Sequence, residues 1–201
     1  MSGWDARFAG KDYYYGEAPA EFLRRASAWL APGARVLSVA DGEGRNSVWL
    51  AGQGFDVTAF DASPVALDKA RALARRRGVR VEVHEAGTET WDWRPDAFDA
   101  VVAVFIQFAA PDQRRAIFEG IARTLRPGGL ALLHGFSLRQ MANRSGGPRV
   151  PEQLWTLPLL REAFPGWQEL AAADHDAVLD EGPGHRGPAA LIDFVARKPA
   201  P

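Results

Sequence analysis

The sequence predicts an α/β protein built on a parallel sheet with helices on both faces. Three observations predict it. Short apolar runs alternate with helical periodicities along most of the chain. The run 36–39 breaks into a turn containing Gly42 and Gly44 and resumes as an amphipathic segment. A second run, 57–60, ends on Asp61 about 20 residues after that turn, the spacing at which a second strand supplies an acid to ribose hydroxyls.

The elements follow in order. A helix over 19–30 opens with Pro19 in its first turn and repeats Phe22, Leu23, Ala26, Trp29 and Leu30 at helical spacing, stopping at Pro32 and Gly33. Strands are expected over 35–40, 56–60, 80–84, 98–104 and 130–135, each short and rich in valine, leucine or phenylalanine. Helices over 45–53, 64–77 and 112–125 lie between them, the second with Ser63 as N-cap and Pro64 in first helical position. The stretch 136–153 is polar, glycine-rich and too long for an economical connection, so it reads as a long loop or lid. A helix over 151–164, a strand from about 167 and a strand over 189–197 complete the chain, the last two joined by a hairpin with its tip at 180–185.

The 201 residues suit a single domain over 1–201, with 1–18 as a segment covering the site. A net charge of -1 gives no pull toward nucleic acid or anionic membrane, and the absence of cysteine excludes disulfides, thiolate metal sites and a thiol nucleophile. The first eight residues lack a basic region followed by an apolar core, and the run 100–106 is too short to span a bilayer, so a cytoplasmic location is expected.

The glycine turn indicates which nucleoside cofactor to expect. Gly42 and Gly44 remove Cβ atoms that would hold a ligand off the backbone, and the following helix offers unpaired N–H groups. A dinucleotide fingerprint needs a third glycine, where this chain has Ser47. Asp41 and Glu43 are also awkward for a pyrophosphate but suit an ammonium and a sulfonium. S-adenosylmethionine is favoured over a nicotinamide dinucleotide.

From about 19 to 197 the chain resembles the class I S-adenosylmethionine-dependent methyltransferases. Val36-Leu-Ser-Val-Ala-Asp-Gly-Glu-Gly-Arg-Asn46 is similar to that family's first motif, Asp61-Ala-Ser63 to its second-strand acid, Phe98-Asp-Ala-Val-Val102 to its fourth strand and Leu125-Arg-Pro-Gly-Gly-Leu130 to the turn before its fifth. Within the family it looks nearest to the small-molecule tellurite and thiopurine group. The resemblance implies a Rossmann-like seven-stranded sheet with an antiparallel last strand. It implies a cofactor site of Ala40, Asp41, Gly42, Gly44, Arg45 and Asn46 on the first loop, with Gly42 and Gly44 beside the methionyl part. Asp61 would serve the ribose, Ala86, Gly87 and Thr88 the adenine, and Phe105 and Gln107 would sit near the reacting sulfur, with Ala62, Ser63 and Val104 also in the cofactor site. Three positions depart from the pattern: Ser38 where aspartate is common, Ala40 where glycine is common, and Gly87 where an acid often receives the adenine amino group. Thr88 is a substitute for that acid, and Trp91 and Trp93 either cover the base or pack in the interior.

Methyl transfer from a sulfonium is an in-line displacement that positioning largely supplies, so no invariant triad is required. His185 and Arg186 are the candidate catalytic pair, placed in a loop between the last strands where a hairpin can set them over the cofactor, with Gln107 as a third candidate. A similar His-Arg pair occurs in the tellurite-type members. The bland alternative is an exposed hairpin tip. Tyr14, Tyr15 and Arg144 are candidate substrate contacts, with Tyr13, Trp4 and Phe8 extending an aromatic wall and Arg139 and Arg149 further cations in the loop. Asp174, His175 and Asp176 alternate along a strand, so no metal site is expected. The basic run 75–77 reads as a solvated helix face. The expected function is methylation of a small molecule, an anionic or soft nucleophile such as tellurite or a thiol. Competing classes are a module that binds the cofactor without transfer, and a nicotinamide-dependent oxidoreductase.

Overall fold

A computed structural model describes residues 3–200; residues 1, 2 and 201, the ends of the expected single domain, lie outside the described residues. The strands are β1 (Arg35–Val39), β2 (Asp56–Asp61), β3 (Glu82–Glu85), β4 (Phe98–Val104), β5 (Leu125–Phe136), β6 (Gln168–Glu181) and β7 (His185–Arg197). They form one seven-stranded sheet in the order β3-β2-β1-β4-β5-β7-β6. β1 to β5 pair in parallel, and β7 runs antiparallel to both β5 and β6. The order reverses between β1 and β4, which opens a crevice at the strands' C-terminal ends.

The helices are α1 (Gly3–Phe8), α2 (Glu21–Ala26), α3 (Arg45–Gly52), α4 (Pro64–Arg77), α5 (Pro111–Thr124) and α6 (Leu157–Ala163). α4 starts as its sequence dictates: Ser63 Oγ accepts from Ala66 N at 3.3 Å, Pro64 follows, and Gly78 closes the helix at φ +66°. Val36, Ala100, Val102 and Leu132 bury one sheet face with Phe22 and Leu23 of α2. Leu37, Val101, Ala131 and Leu133 bury the other with Ile117 and Ile121 of α5. Both faces are apolar because both are covered, the condition of a parallel sheet. Among the described residues no helix is long and apolar enough to cross a membrane.

Several expectations are corrected. α1 is a six-residue helix that no periodicity announced. The helix expected over 19–30 is α2 plus one 3₁₀ turn, and the one expected over 151–164 is a 3₁₀ turn followed by α6, capped by Thr156. The last strand begins at His185, not 189, so the hairpin turn is confined to 182–184. The stretch 136–153 is braced: Gln140 is fully buried, donates to Ser145 Oγ and Gly146 O at 3.0 Å and accepts from Ala190 N at 2.8 Å.

Candidate functional site

A cavity of about 650 Å³ lies over the C-terminal ends of β1, β2, β3 and β4, a volume suited to a small molecule. Asp61, the last residue of β2, lines it. Its carboxylate accepts from Gly42 N and Ser63 N, each at 2.9 Å. Burial raises its pKa against those backbone donors. A carboxylate has about four lone-pair sites, so it can still receive two ribose hydroxyls. Beyond β3, Thr88 is buried and its Oγ1 has no hydrogen-bond partner among the described residues.

The missing acid at position 87 is replaced from two residues downstream. A Cβ built on Gly87 would lie 2.9 Å from Glu89 Oε2, so the Glu89 carboxylate fills the space that a side chain at 87 would occupy. Glu89 lines the cavity and accepts from Gln113. Sequence reading missed it because only the folded-back turn brings the two positions together. Trp91 and Trp93 take the packing role: Trp91 stacks on Phe60 at 4.5 Å, and Trp93 lies against Gly120 and donates to Thr88 O at 3.1 Å. Asp61→Ala should weaken S-adenosylhomocysteine binding at least about tenfold by calorimetry with the fold intact, the loss of charge-assisted hydrogen bonds. Unchanged affinity would move the ribose elsewhere.

The loop after β1 carries two polarities. Asp41 Oδ1 accepts from Ser38 Oγ at 2.7 Å and Ser47 N at 3.3 Å, and Oδ2 accepts from Ser47 Oγ. Burial pushes its pKa up to about 6, against those serine donors and with the help of the Asp61 charge. The acid of this loop is thus Asp41, with Ser38 and Ser47 orienting it. Ala40 (φ +47°) and Phe105 (φ +56°) are non-glycine residues held in the left-handed region, and both line the cavity just beyond β1 and β4. Strain of this kind persists where surrounding structure enforces it and clusters at functional sites.

All the cofactor residues named from the sequence line the cavity except Gly44 and Ser63. Gly44 is needed for packing: at φ +88°, its Cβ would lie 2.7 Å from the Ala70 Cβ, so α3 and α4 could not meet. Ser63 caps α4 and donates to Asp5 at 2.6 Å. Asn46 lines the cavity but accepts from Ala20 N at 3.0 Å, tying in the chain before α2. Glu43 also lines the cavity. Buried, it accepts from Tyr14 N at 2.7 Å and pairs with Lys69 at 2.7 Å, pinning the N-terminal segment across the loop.

That segment walls the far end of the cavity with Trp4, Phe8, Tyr14 and Tyr15. His185 is buried there between Phe105, 4.3 Å between ring centroids, and Tyr15, 4.5 Å. Its Nδ1 lies 3.3 Å from Glu181 Oε2, which also receives Arg45 Nη2 at 3.0 Å. Burial alone would raise Glu181, but His185 and Arg45 hold its pKa at about 2. Burial lowers the pKa of His185, Glu181 opposes this and the Arg45 charge adds to it. With ionised Glu181 as acceptor, neutral His185 carries its proton on Nδ1 and leaves Nε2 basic.

The remaining catalytic and substrate candidates are corrected. Arg186 follows His185 on a strand, so it points to the other face; it is 74% exposed and pairs with Asp180. Arg144 is exposed and does not line the cavity. Arg139 pairs with Asp174 and Asp176, and Arg149 donates to the carbonyls of Met141 and Asn143. Gln107 lines the cavity, but its amide donates to Phe136 O at 2.7 Å and accepts from Phe136 N, so it fixes the end of β5. His175 turns away from its acidic neighbours to Asp193, 3.2 Å away.

Comparison with known proteins agrees with this geometry. Residues 36–129 match a methyltransferase domain. An uncharacterized protein of Mycobacterium tuberculosis is 35% identical over 158 residues, 73% of this chain and 56% of that protein. The chain spans about half the length of the curated relatives it matches. A solved structure from work on conversion of a disulfide bond into a thioacetal group in echinomycin biosynthesis superimposes with TM-score 0.77 at 24% identity, covering 96% of this chain and 86% of that one. A SAM-dependent methyltransferase of Methanosarcina mazei gives TM-score 0.72 at 18% identity, with 88% and 98% covered. TehB of Haemophilus influenzae gives 0.68 at 20%, with 88% and 61% covered. The match over 36–129 is to a methyltransferase domain, and the likeness to the solved structures is one of fold. The residues present fit S-adenosylmethionine, the cofactor expected from the sequence: Asp61 and Glu89 offer carboxylates to ribose and base, and Thr88 Oγ1 and Arg45 Nη1 are buried atoms on the cavity wall with no hydrogen-bond partner among the described residues.

Proposed function

We propose that this chain methylates a small molecule at a nucleophile that gives up a proton, with His185 as the proton acceptor. The observation that carries the reading is the buried Glu181–His185 pair under Tyr15 and Phe105, at the opposite end of the cavity from Thr88 and Glu89. S-adenosylmethionine, when bound, supplies a methyl group on a sulfonium. Asp61, Thr88 and Glu89 hold the adenosine half. Phe8, Tyr14, Tyr15 and Phe105 exclude water and align the acceptor. His185 Nε2 takes the acceptor's proton, and Glu181 keeps the ring in the matching tautomer and stabilises the imidazolium.

The acceptor class follows from what lines this end. Aromatic faces and one neutral imidazole suit a planar phenol, thiol or heteroaromatic amine. The exposed Arg186 and Arg144 do not line the cavity, and of the arginines that do, Arg45 is paired with Glu181 and Arg7 lies over Trp4, so the soft acceptor we favour is a thiol. The test is an acceptor panel of thiols, phenols, heteroaromatic amines, selenite and tellurite, read as S-adenosylhomocysteine formation by mass spectrometry. Turnover of a protic acceptor supports the reading. Turnover of tellurite alone, or cofactor binding with no turnover on any acceptor, overturns it.

A further inference from the structure

Among the described residues, Arg45 and Arg7 are the only arginines or lysines that line the cavity, and they are used differently. Arg45 is buried and paired with Glu181 at 3.0 Å. Arg7, on α1, is exposed and pairs with no carboxylate among the described residues. What holds it is aromatic. Its Cζ stands over the Trp4 ring at 4.6 Å and over the Tyr14 ring at 5.6 Å, and Nη1 donates to Tyr15 Oη at 3.4 Å. Ring faces hold a guanidinium through its π-surface and use none of its five N–H donors. Tyr15 accepts one hydrogen bond but no charge, because burial raises its pKa above the ordinary 10 against the pull of Arg7, and the hydroxyl stays neutral. The guanidinium is thus set in place with its charge unmet and most of its donors uncommitted, so a ligand that meets it loses little to ordering the side chain.

Charge is sorted along the cavity. The wall assigned to the cofactor carries the carboxylates Asp41, Asp61 and Glu89, and the strap before α2 carries Arg7. Tyr15 connects this cation with the reacting end: its ring lies 4.5 Å from the His185 ring, and its hydroxyl, on the far side of the ring, meets Arg7. An acceptor lying along Tyr15 with its nucleophile at His185 brings the opposite end of an aromatic ring to Arg7. Resting on the reading of His185 as the proton acceptor, we propose that Arg7 is a specificity-determining residue that binds a carboxylate on the acceptor, placed one aromatic ring away from the atom that is methylated. A small anion such as tellurite cannot use this arrangement, since it does not span from His185 to Arg7.

The test is titration calorimetry on the protein saturated with S-adenosylhomocysteine, with three methylated products as probes: 4-(methylthio)benzoate, its ortho isomer 2-(methylthio)benzoate, and neutral thioanisole. Wild type should bind the para acid at least about fivefold more tightly than either other probe, the yield of one charged contact at a partly solvated site. Arg7→Gln should bind all three within about twofold of one another and keep its affinity for S-adenosylhomocysteine, whereas Arg7→Lys should retain part of the preference. The kinetic counterpart is that Arg7→Gln raises KM for 4-mercaptobenzoate at least about fivefold with kcat nearly unchanged, the signature of lost uniform binding. Equal losses for the acid and the neutral probe would make Arg7 a prop for the aromatic wall and overturn the proposal, as would a wild type with no preference for the para acid. Weaker binding of S-adenosylhomocysteine to Arg7→Gln would give the charge to the cofactor, with the same consequence. Selective binding of the para acid by a wild type that turns over no acceptor supports the role of Arg7 and overturns the transferase reading. Turnover of neutral thiols or phenols with no gain from a carboxylate supports that reading and overturns Arg7 alone.

Discussion

Gly44→Val is expected to destabilise the chain by about 2 to 6 kcal/mol, an over-packing term of about 1–3 and a left-handed backbone term of similar size. The total stability of a domain this size is about 5–15 kcal/mol. The cause lies between two helices. A Cβ at position 44 would stand 2.7 Å from the Ala70 Cβ and 2.8 Å from its Cα, and the backbone there has φ +88°. Urea denaturation measures the loss. The companion experiment tests the Ala70 contact: Ala70→Gly placed on Gly44→Ala should recover part of the stability, because it removes the contact with the Ala70 Cβ and leaves the contact with its Cα and the backbone strain. A variant of full stability that has lost cofactor affinity would return Gly44 to the ligand, as the sequence alone suggested.

His185→Gln is expected to lower kcat by about a hundredfold or more, the usual contribution of a positioned base, while affinity for S-adenosylhomocysteine stays nearly constant. The pH profile carries the sharper signature. Burial and Arg45 depress the His185 pKa from its ordinary 6.5 despite the opposing Glu181. Its midpoint therefore lies below 6.5, and wild-type kcat should fall as acid protonates the ring below that value. The glutamine variant should lack this acidic limb. Arg186→Ala, which alters an exposed pair with Asp180, should leave both limb and kcat in place. A wild-type limb retained in His185→Gln would assign the titration to another group and remove His185 from the chemistry.

What could be read in the sequence was local. The run from Val36 to Asn46 folds as strand, turn and helix because its own residues specify each part, and Ser63 and Pro64 start α4 with no help from elsewhere. Functions that depend on a distant partner could not be read. Gly44 answers to Ala70, Glu43 to Tyr14 and Lys69, and Gln107 to the end of β5. His185 and Arg186 were paired as neighbours in a loop, but extension of β7 to His185 puts them on opposite faces. The Gly-Pro-Gly turn marks where the chain reverses and is silent on how far the strands reach toward it. α1 escaped notice because six residues hold under two helical turns, too few for a periodicity to register.

The N-terminal strap is a part the sheet does not need. Residues 3–16 lie outside all seven strands, yet Trp4, Phe8, Tyr14 and Tyr15 supply much of the wall the acceptor would meet. Its fastenings are several and involve side chains as well as backbone: Glu43 accepts from Tyr14 N, Gly184 N donates to Tyr14 O at 3.0 Å, Ser63 donates to Asp5 at 2.6 Å and Tyr13 donates to Lys69 O at 2.9 Å. Asp5, Phe8 and Tyr13 are thereby tied to the body of the protein, while Trp4 is 38% exposed and Tyr14 and Tyr15 line the cavity. The strap is wall and fastening at once, so a change in the face proposed for the acceptor is also a change in how the chain is held together.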